Sequence, residues 1–88
     1  MDYLDVTITS PRQDIYAGIA ISVSSINSAG KFDVLPEHAN FVTLIDKKPI
    51  IVRTMDKRVL TFNFPLAIIS VINNKVRIYT NIQPAIPK

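Results

Sequence analysis

Residues 67–80 have the sequence AIISVINNKVRIYT, and this stretch decides the fold class. Its first part, residues 67–72, is almost wholly apolar, and residues 76–80 are again rich in β-branched side chains. Between these runs lie Asn73 and Asn74, a pair that tolerates the left-handed backbone of a two-residue turn. The stretch therefore predicts a β-hairpin.

The same bias extends over the whole chain. Among its 88 residues are 14 Ile, 8 Val and 6 Thr. Branching at Cβ restricts χ1 in a helix but packs well on the pleated surface of a sheet. No segment shows sustained helical spacing of apolar residues. We therefore predict an all-β protein.

Turn signals separate the predicted strands at about every 8–12 residues, a spacing typical of a small sandwich or barrel. Residues 27–30 have the composition of a tight turn. Pro36 and Pro65 interrupt strands, because proline has no N–H to give to a ladder. Further extended segments are predicted over residues 4–9, 15–17, 19–24, 31–35, 41–45, 50–52 and 59–64.

Alternation predicts which side chains share a face. Ile19, Ile21 and Val23 fall on one apolar face of a half-buried strand, and Phe32 and Val34 fall on one side of the next strand. These faces are expected to turn toward the core.

Composition sets the class of protein. The chain is 48% hydrophobic and 19% charged, which describes a single folded domain rather than a disordered tail. It has no cysteine, no apolar run near the ~18 residues of a membrane span, and an acidic start unlike a signal peptide. The net charge of +3 is uneven, since residues 1–44 sum to −3 and residues 45–88 to +6. One half is acidic and the other basic.

Candidate catalytic groups are few. His38 is the only histidine, and with no cysteine a zinc cluster or a Cys–His pair cannot form within one chain. Two glycines are too few for a phosphate-binding loop or a dinucleotide fingerprint. An enzyme would need a nucleophile beside His38. The two other interpretations of this residue are a surface histidine bonded to nearby backbone and a contact to a partner.

A small nucleic-acid-binding β-barrel is the alternative function. Leu60, Phe62 and Phe64 share one face and could stack on bases, although alternating aromatics beside an apolar strand are more often core residues. The phosphate contacts of such a barrel would come from Lys57, Arg58, Lys75 and Arg77.

Three stretches together resemble the N-terminal β-domain of the epsilon subunit of F-type ATP synthases. They are VTITSP at residues 6–11 followed by IYAG at 15–18, GKFDVLPEHA at 30–39, and AIISVINNKV at 67–76. The middle stretch is the most specific, because the family places a glycine, an apolar strand and a Pro-x-His-Ala loop in that order. Where the family usually has glycines, this chain has Asp33, Glu37, Leu66 and Ala67, and Asn40 replaces a common proline.

The resemblance implies an all-β, ten-stranded sandwich or flattened barrel over residues 4–81, with an extended tail at 82–88 and no helical hairpin. It implies a noncatalytic rotor subunit that links the gamma subunit to the c-ring and supports coupling of ion flow to ATP synthesis. The two C-terminal helices associated in that family with inhibiting ATP hydrolysis are expected to be lacking. No cofactor or metal is expected.

The resemblance also implies where the partners lie. One copy would be held through the complex at the cytoplasmic face of a bacterial energy-coupling membrane, or its organelle equivalent. At the position of Lys31 the family often has an acidic residue. The residues expected toward gamma are Ser10, His38 and Thr43, and those expected toward the c-ring are Ser28, Gly30 and Lys31.

Overall fold

The computed structural model describes residues 3–81, which contain strands and turns and no helix. The strands are β1 (Leu4–Thr9), β2 (Asp14–Asn27), β3 (Gly30–Val34), β4 (Phe41–Asp46), β5 (Pro49–Thr54), β6 (Val59–Asn63), β7 (Leu66–Ile72) and β8 (Lys75–Thr80). The all-β prediction is confirmed. Residues 82–88, for which an extended tail is predicted, lie outside the described residues.

The predicted hairpin of residues 67–80 is confirmed as β7 and β8. These strands pair antiparallel, from Ala67 opposite Thr80 to Ile72 opposite Lys75. Both turn residues have left-handed backbone, with φ of 48° at Asn73 and 65° at Asn74. Asparagine tolerates this region better than most residues, so the local sequence fixes the register of the hairpin.

All eight strands of the described region join one sheet, in the order β4-β7-β8-β1-β2-β5-β6, with β3 also paired to β2. β1 and β8 run parallel, and the other neighbours are antiparallel. We call the part built on β4, β7, β8 and β1 the first layer, and the part built on β3, β5 and β6 the second. β2 belongs to both layers, which face each other across one core.

β2 carries the main departure from the predicted pattern. Its pairing with β5 shifts register between Ala20 and Ser22, so Ile21 is an extra residue in a β-bulge. The bulge reverses the alternation. Ala20, Ser22 and Val23 are buried, whereas Ile19 and Ile21 are 44% and 43% exposed. The prediction that Ile19 and Ile21 share a core face with Val23 is therefore wrong.

The number of strands in the described region is eight, so the expectation of ten is also wrong. One reason is that the predicted segments 15–17 and 19–24 form a single strand. Gly18 lies between them and stays in the ladder opposite Val6. The ring of Tyr16 occupies the space where a side chain at Gly18 would lie. A glycine at this position is therefore compatible with a continuous strand.

The core consists of inward-facing aliphatic side chains from seven strands, with β6 contributing partly buried residues. Phe32 packs against this core beside fully buried Val34, as the alternation predicts. The buried members are Leu4, Val6, Ile8, Ala20, Val23, Val34, Ile45, Ile50, Val52, Ala67, Ile69, Val71, Val76 and Ile78. Both layers contribute, so the fold is one cooperative unit that holds its turns in fixed relative positions.

Candidate functional site

His38 lies in the loop between β3 and β4 and is half-buried. Its backbone N–H donates to the carbonyl of Leu35 at 3.0 Å, and its ring packs 5.0 Å from the ring of Phe41. Nδ1 lies 2.7 Å from the carbonyl oxygen of Ala39, which can only accept, so Nδ1 carries a hydrogen. This geometry orients the ring on the loop, and no hydrogen bond within residues 3–81 joins the ring to a serine or threonine hydroxyl.

The His38 loop is fastened to the β7–β8 turn by asparagine side chains. The Glu37 N–H donates to Oδ1 of Asn74 at 2.7 Å, and Nδ2 of Asn74 donates back to the Glu37 carboxylate at 3.0 Å. Asn40 Oδ1 accepts from the N–H of Asn73 at 3.0 Å. Glu37 has a φ of 69°, so it adopts the left-handed backbone that glycine favours. The loop therefore keeps a fixed shape without a glycine.

Replacing Asn74 by alanine is expected to lower the free energy of unfolding by about 2 kcal/mol. The change removes two partly buried hydrogen bonds and the asparagine preference for positive φ. Asn73→Ala is the matched control, because it loses only the backbone preference. Urea denaturation of both variants checks this, and equal losses would show that the contacts to Glu37 contribute nothing.

Ser10 follows β1 and shapes the turn into β2. Its Oγ accepts from the N–H of Gln13 at 3.2 Å, and its own N–H donates to the Gln13 carbonyl at 2.8 Å. The turn lies at the end of the first layer where β1 and β8 finish, whereas His38 lies at the end where β4 begins. Ser10 and His38 are thus at opposite ends of this layer.

Thr43 connects the two layers. Its Oγ1 accepts a hydrogen bond from Nδ2 of Asn27 at 2.9 Å, and Oδ1 of Asn27 accepts from the N–H of Ala29 at 2.9 Å. Asn27 thereby ties Thr43 to the β2–β3 hairpin. Thr43, which is predicted to face gamma, therefore lies against the β2–β3 hairpin. That hairpin carries the residues predicted to face the c-ring.

The β2–β3 hairpin presents its tip to solvent. Ser28 and Lys31 are exposed, and Gly30 has a φ of 120°, a conformation that residues with a side chain rarely adopt. An added Cβ at Gly30 would meet no atom within 4 Å, so glycine is needed here for its backbone and not for space.

Several exposed apolar side chains that the predicted site residues do not include lie on the outer face of the first layer. Val42 and Leu44 on β4 are 66% and 54% exposed, and both flank Thr43. Leu44 lies opposite Ile68, which lies opposite exposed Tyr79. We call Val42, Leu44, Ile68, Ile72 and Tyr79 the outer apolar face. Ser70 and Arg77 lie on the same face, between Ile72 and the other apolar residues. A cluster of exposed apolar side chains of this kind favours an interaction surface.

The signal for this face is present in the sequence. Residues 67–72 and 41–45 are apolar apart from Ser70 and Thr43, although antiparallel strands with one solvated face normally alternate. Side chains that are apolar on both faces indicate a strand covered on both faces. Periodicity could not say what covers the outer one.

The residues suggested for nucleic acid have other partners. Phe62 packs 5.6 Å from Tyr16 and 6.2 Å from Phe64, and Leu60 packs with both phenylalanines against the core. Nη1 of Arg77 donates to Thr7 Oγ1 at 3.1 Å. Lys57 and Lys75 are exposed. The aromatic rings therefore do not form an open stacking platform.

Arg58 also has a partner, in the β5–β6 turn. Its Nε lies 3.0 Å and 3.2 Å from the two carboxylate oxygens of Asp56, which also accepts a hydrogen bond from the Thr54 hydroxyl. The Thr54 hydroxyl, followed by Arg58, lowers the pKa of Asp56 below its ordinary value. The Asp56 carboxylate thus stabilises the β5–β6 turn.

A pH dependence follows from Asp56. Because its pKa is lower in the folded than in the unfolded chain, its contribution to stability is present at neutral pH. That contribution disappears as the pH falls from about 4 through the folded-state pKa. The stability difference between the parent and Asp56→Asn should therefore shrink on acidification, measured by urea denaturation across pH. A constant difference would show that the carboxylate is not perturbed.

Within residues 3–81, no group of three or more His, Asp or Glu side chains is arranged to hold a metal ion. The same stretch contains no helix that could cross a membrane. The candidate functional features described above are surface regions held in place by a rigid sheet.

Comparison with known proteins places this scaffold in a family. The family model described as ATP synthase, Delta/Epsilon chain, beta-sandwich domain matches residues 3–83. The chain belongs to this ATP synthase delta/epsilon family. The resemblance seen in the sequence and the sandwich class are confirmed.

One curated relative in the delta/epsilon family is the ATP synthase epsilon chain of Sulfurimonas denitrificans (strain ATCC 33889 / DSM 1251). It is 33% identical over 76 residues, which cover 86% of this chain and 58% of the relative. The chain therefore spans somewhat more than half the length of this relative.

Solved structures show the same fold. A chain in the Euglena gracilis mitochondrial ATP synthase structure, described as OSCP/F1/c-ring, matches with a TM-score of 0.83 at 16% identity, covering 91% of this chain and 51% of that one. A chain of the Tetrahymena thermophila mitochondrial ATP synthase, described as central stalk/c-ring, matches with a TM-score of 0.74 at 13% identity, over 88% and 62%. At these identities the matches establish the fold alone.

Proposed function

We propose that this chain is a noncatalytic central-stalk subunit that links the gamma subunit to the c-ring of a bacterial F-type ATP synthase. The observation that carries the proposal is the family match over residues 3–83. The Sulfurimonas relative is named an epsilon chain, and the two solved assemblies are described with their c-rings. A rotor subunit of this kind supports the coupling of ion flow to ATP synthesis.

The outer apolar face is proposed as the surface that docks on gamma. Val42 and Leu44 lie on either side of Thr43, and the face extends across β7 to Tyr79. The layer that bears it has Ser10 at one end and His38 at the other. Thr43 itself points to the opposite side of β4, toward Asn27, so of the three predicted gamma-facing residues Ser10 and His38 lie at the ends of this layer and Thr43 lies behind the face. Burial of the exposed apolar side chains would favour docking.

The β2–β3 hairpin, with Ser28, Gly30 and Lys31, is proposed as the contact to the c-ring. Its tip is joined to β4 through Asn27 and Thr43, so a force on the tip passes directly to the strand that bears Val42 and Leu44. A hydrogen-bonded sheet carries such a force without local unfolding, which suits an adaptor between two rotor components.

The proposed place in the cell follows from the proposed complex. The chain would lie at the cytoplasmic face of a bacterial energy-coupling membrane and be held there by its partners. A noncatalytic role agrees with the contacts of His38, whose ring is bonded to a backbone carbonyl and packs against Phe41.

Coupling in membrane vesicles tests the proposed function. Vesicles from the source organism, prepared without this subunit, should hydrolyse ATP but pump protons or sodium ions poorly. Adding the purified chain should restore pumping per ATP hydrolysed. A chain in which Val42 and Leu44 are both glutamate serves as the negative control. Unchanged pumping on adding the parent chain would refute the proposed role in coupling.

A further inference from the structure

Three lysines lie on the β2–β3 hairpin and the neighbouring β4–β5 turn. Lys31 is the second residue of β3, and Lys47 and Lys48 form the β4–β5 turn. All three are exposed, and within residues 3–81 none of their ammonium groups takes part in a hydrogen bond or an ion pair. Exposed lysines are common, so their arrangement decides whether they act together.

The two turns that carry these lysines are fixed to each other. Ser25 Oγ donates to the carbonyl of Pro49, directly after Lys48, at 2.8 Å, and Asn27 donates to Thr43 on β4. The Lys47 N–H donates to the carbonyl of Pro65 at 3.2 Å. The ammonium groups therefore project from a common rigid base.

A shallow groove separates the hairpin from the β4–β5 turn. It is lined by Ile26, Asn27, Ser28, Leu44, Asp46 and Lys48. Lys48 lies on one side of Ile26 in this groove, and Lys31 is the cross-strand partner of Ile26 and lines the neighbouring groove with it. Lys31 and Lys48 thus border the same end of the hairpin.

Nearby carboxylates do not balance this charge. Asp33 accepts a hydrogen bond of 2.5 Å from the Ser24 hydroxyl, whose oxygen accepts from Nη1 of Arg53 at 3.1 Å. Asp33 thus belongs to a hydrogen-bonded group that already contains the guanidinium of Arg53. Asp46 is the one acidic residue lining the groove, and the hairpin and the β4–β5 turn together carry three lysines. The hairpin end therefore carries excess positive charge.

We propose that Lys31, Lys47 and Lys48 form a basic docking surface, the lysine tip, which binds carboxylate side chains on the loops of the c-ring. The inference rests on the proposed function and adds the chemistry of the partner. Charge complementarity speeds docking and disfavours misaligned contacts. A ring presents the same loop repeatedly, so lysines on two separate turns can engage neighbouring copies.

The lysine tip fits a protein partner better than an anionic membrane surface. Ser28, Ala29 and Gly30 at the end of the hairpin are small, and Ser28 and Ala29 are exposed. Stable binding to a membrane surface needs buried apolar area in addition to charge. The end of the hairpin offers charge but little apolar area.

Charge reversal in the intact chain tests the proposal. Lys31→Glu/Lys48→Glu should weaken binding to the purified cognate c-ring by about tenfold or more, because like charges would then oppose each other. Binding of the parent should also weaken as salt rises from about 50 to about 500 mM. Binding to cognate gamma should be unchanged, and circular dichroism should confirm the fold.

Lys57→Glu/Lys75→Glu is the matched control, since it makes the same charge change in the β5–β6 turn and at the start of β8. It should leave ring binding unchanged. The proposal is overturned if both double variants lose affinity equally or if the Lys31/Lys48 variant binds like the parent. Lysine-dependent binding to phosphatidylglycerol vesicles, without binding to the ring, would also overturn it.

Two further outcomes separate this inference from the proposed function. If the parent binds neither gamma nor the ring, the proposed function itself fails. If the parent binds both and the ring loop keeps its affinity after its carboxylates are changed to amides, only the lysine-tip assignment fails. The expected result is that amide substitution on the ring and Lys31→Glu/Lys48→Glu on this chain have non-additive effects.

Discussion

Replacing both Val42 and Leu44 by glutamate is expected to lower the affinity for the cognate gamma subunit about 100-fold, equal to ~2.7 kcal/mol. Both side chains point outward from an edge strand and are more than half exposed, so the substitution should leave the core intact. If gamma covers this face, the complex must bury two carboxylates without partners, and that is strongly unfavourable. Isothermal titration calorimetry with purified gamma measures the change.

The matched control is Val59→Glu/Thr61→Glu. These residues point outward from β6, the edge strand at the other end of the sheet order, and both are exposed. The control should bind gamma like the parent. Equal affinities of parent, control and Val42/Leu44 variant would remove the outer apolar face from the interface. Thermal melts of all three chains show whether any lost affinity is lost folding.

Ile69→Ala is expected to give the largest loss of stability, about 3–4 kcal/mol. Ile69 is fully buried in the centre of β7, so truncation removes apolar contacts and leaves a cavity within one continuous core. Ile72→Ala, on the same strand, should cost far less because Ile72 is 52% exposed. Urea denaturation compares the two. A similar cost at both positions would contradict the assigned faces of β7.

The fold was predictable where the signals are local. Asn73 and Asn74 specify the hairpin turn by their tolerance of positive φ, and Pro36 and Pro65 stop strands because they lack an N–H. Neighbouring residues decide these features, so a single sequence suffices. The family could likewise be recognised from residues 30–39, whose order of glycine, strand and Pro-x-His-Ala loop is a local pattern.

The bulge at Ile21 was not predictable by the same means. It arises where β2 leaves β1 and pairs with β5, and that pairing joins segments about 30 residues apart. Alternation alone assigns Ile19 and Ile21 to the core, and only the register with β5 reverses the assignment. The strand count failed for a related reason, because the continuity of β2 through Gly18 depends on its partner strand and on the ring of Tyr16.

The candidate surfaces were predictable only in part. The resemblance identifies Thr43 and Lys31 as candidate contact residues. Their surroundings, however, are determined by contacts between segments that are distant in the sequence. Asn27 bonds Thr43 across 16 residues, and Lys48 comes near the hairpin because β5, which follows it, pairs with β2. The apolar runs indicate strands with two apolar faces, while which side chains form the outer face depends on the register between β4 and β7.

We propose that one chain binds two rotor components at once. Sedimentation velocity of the chain mixed with purified cognate gamma and c-ring measures whether it does. We expect a ternary complex in which the chain sediments with both partners, because the outer apolar face and the lysine tip are separate surfaces. Sedimentation of the chain apart from both partners, or competition between gamma and the ring for it, would show that the chain does not link them.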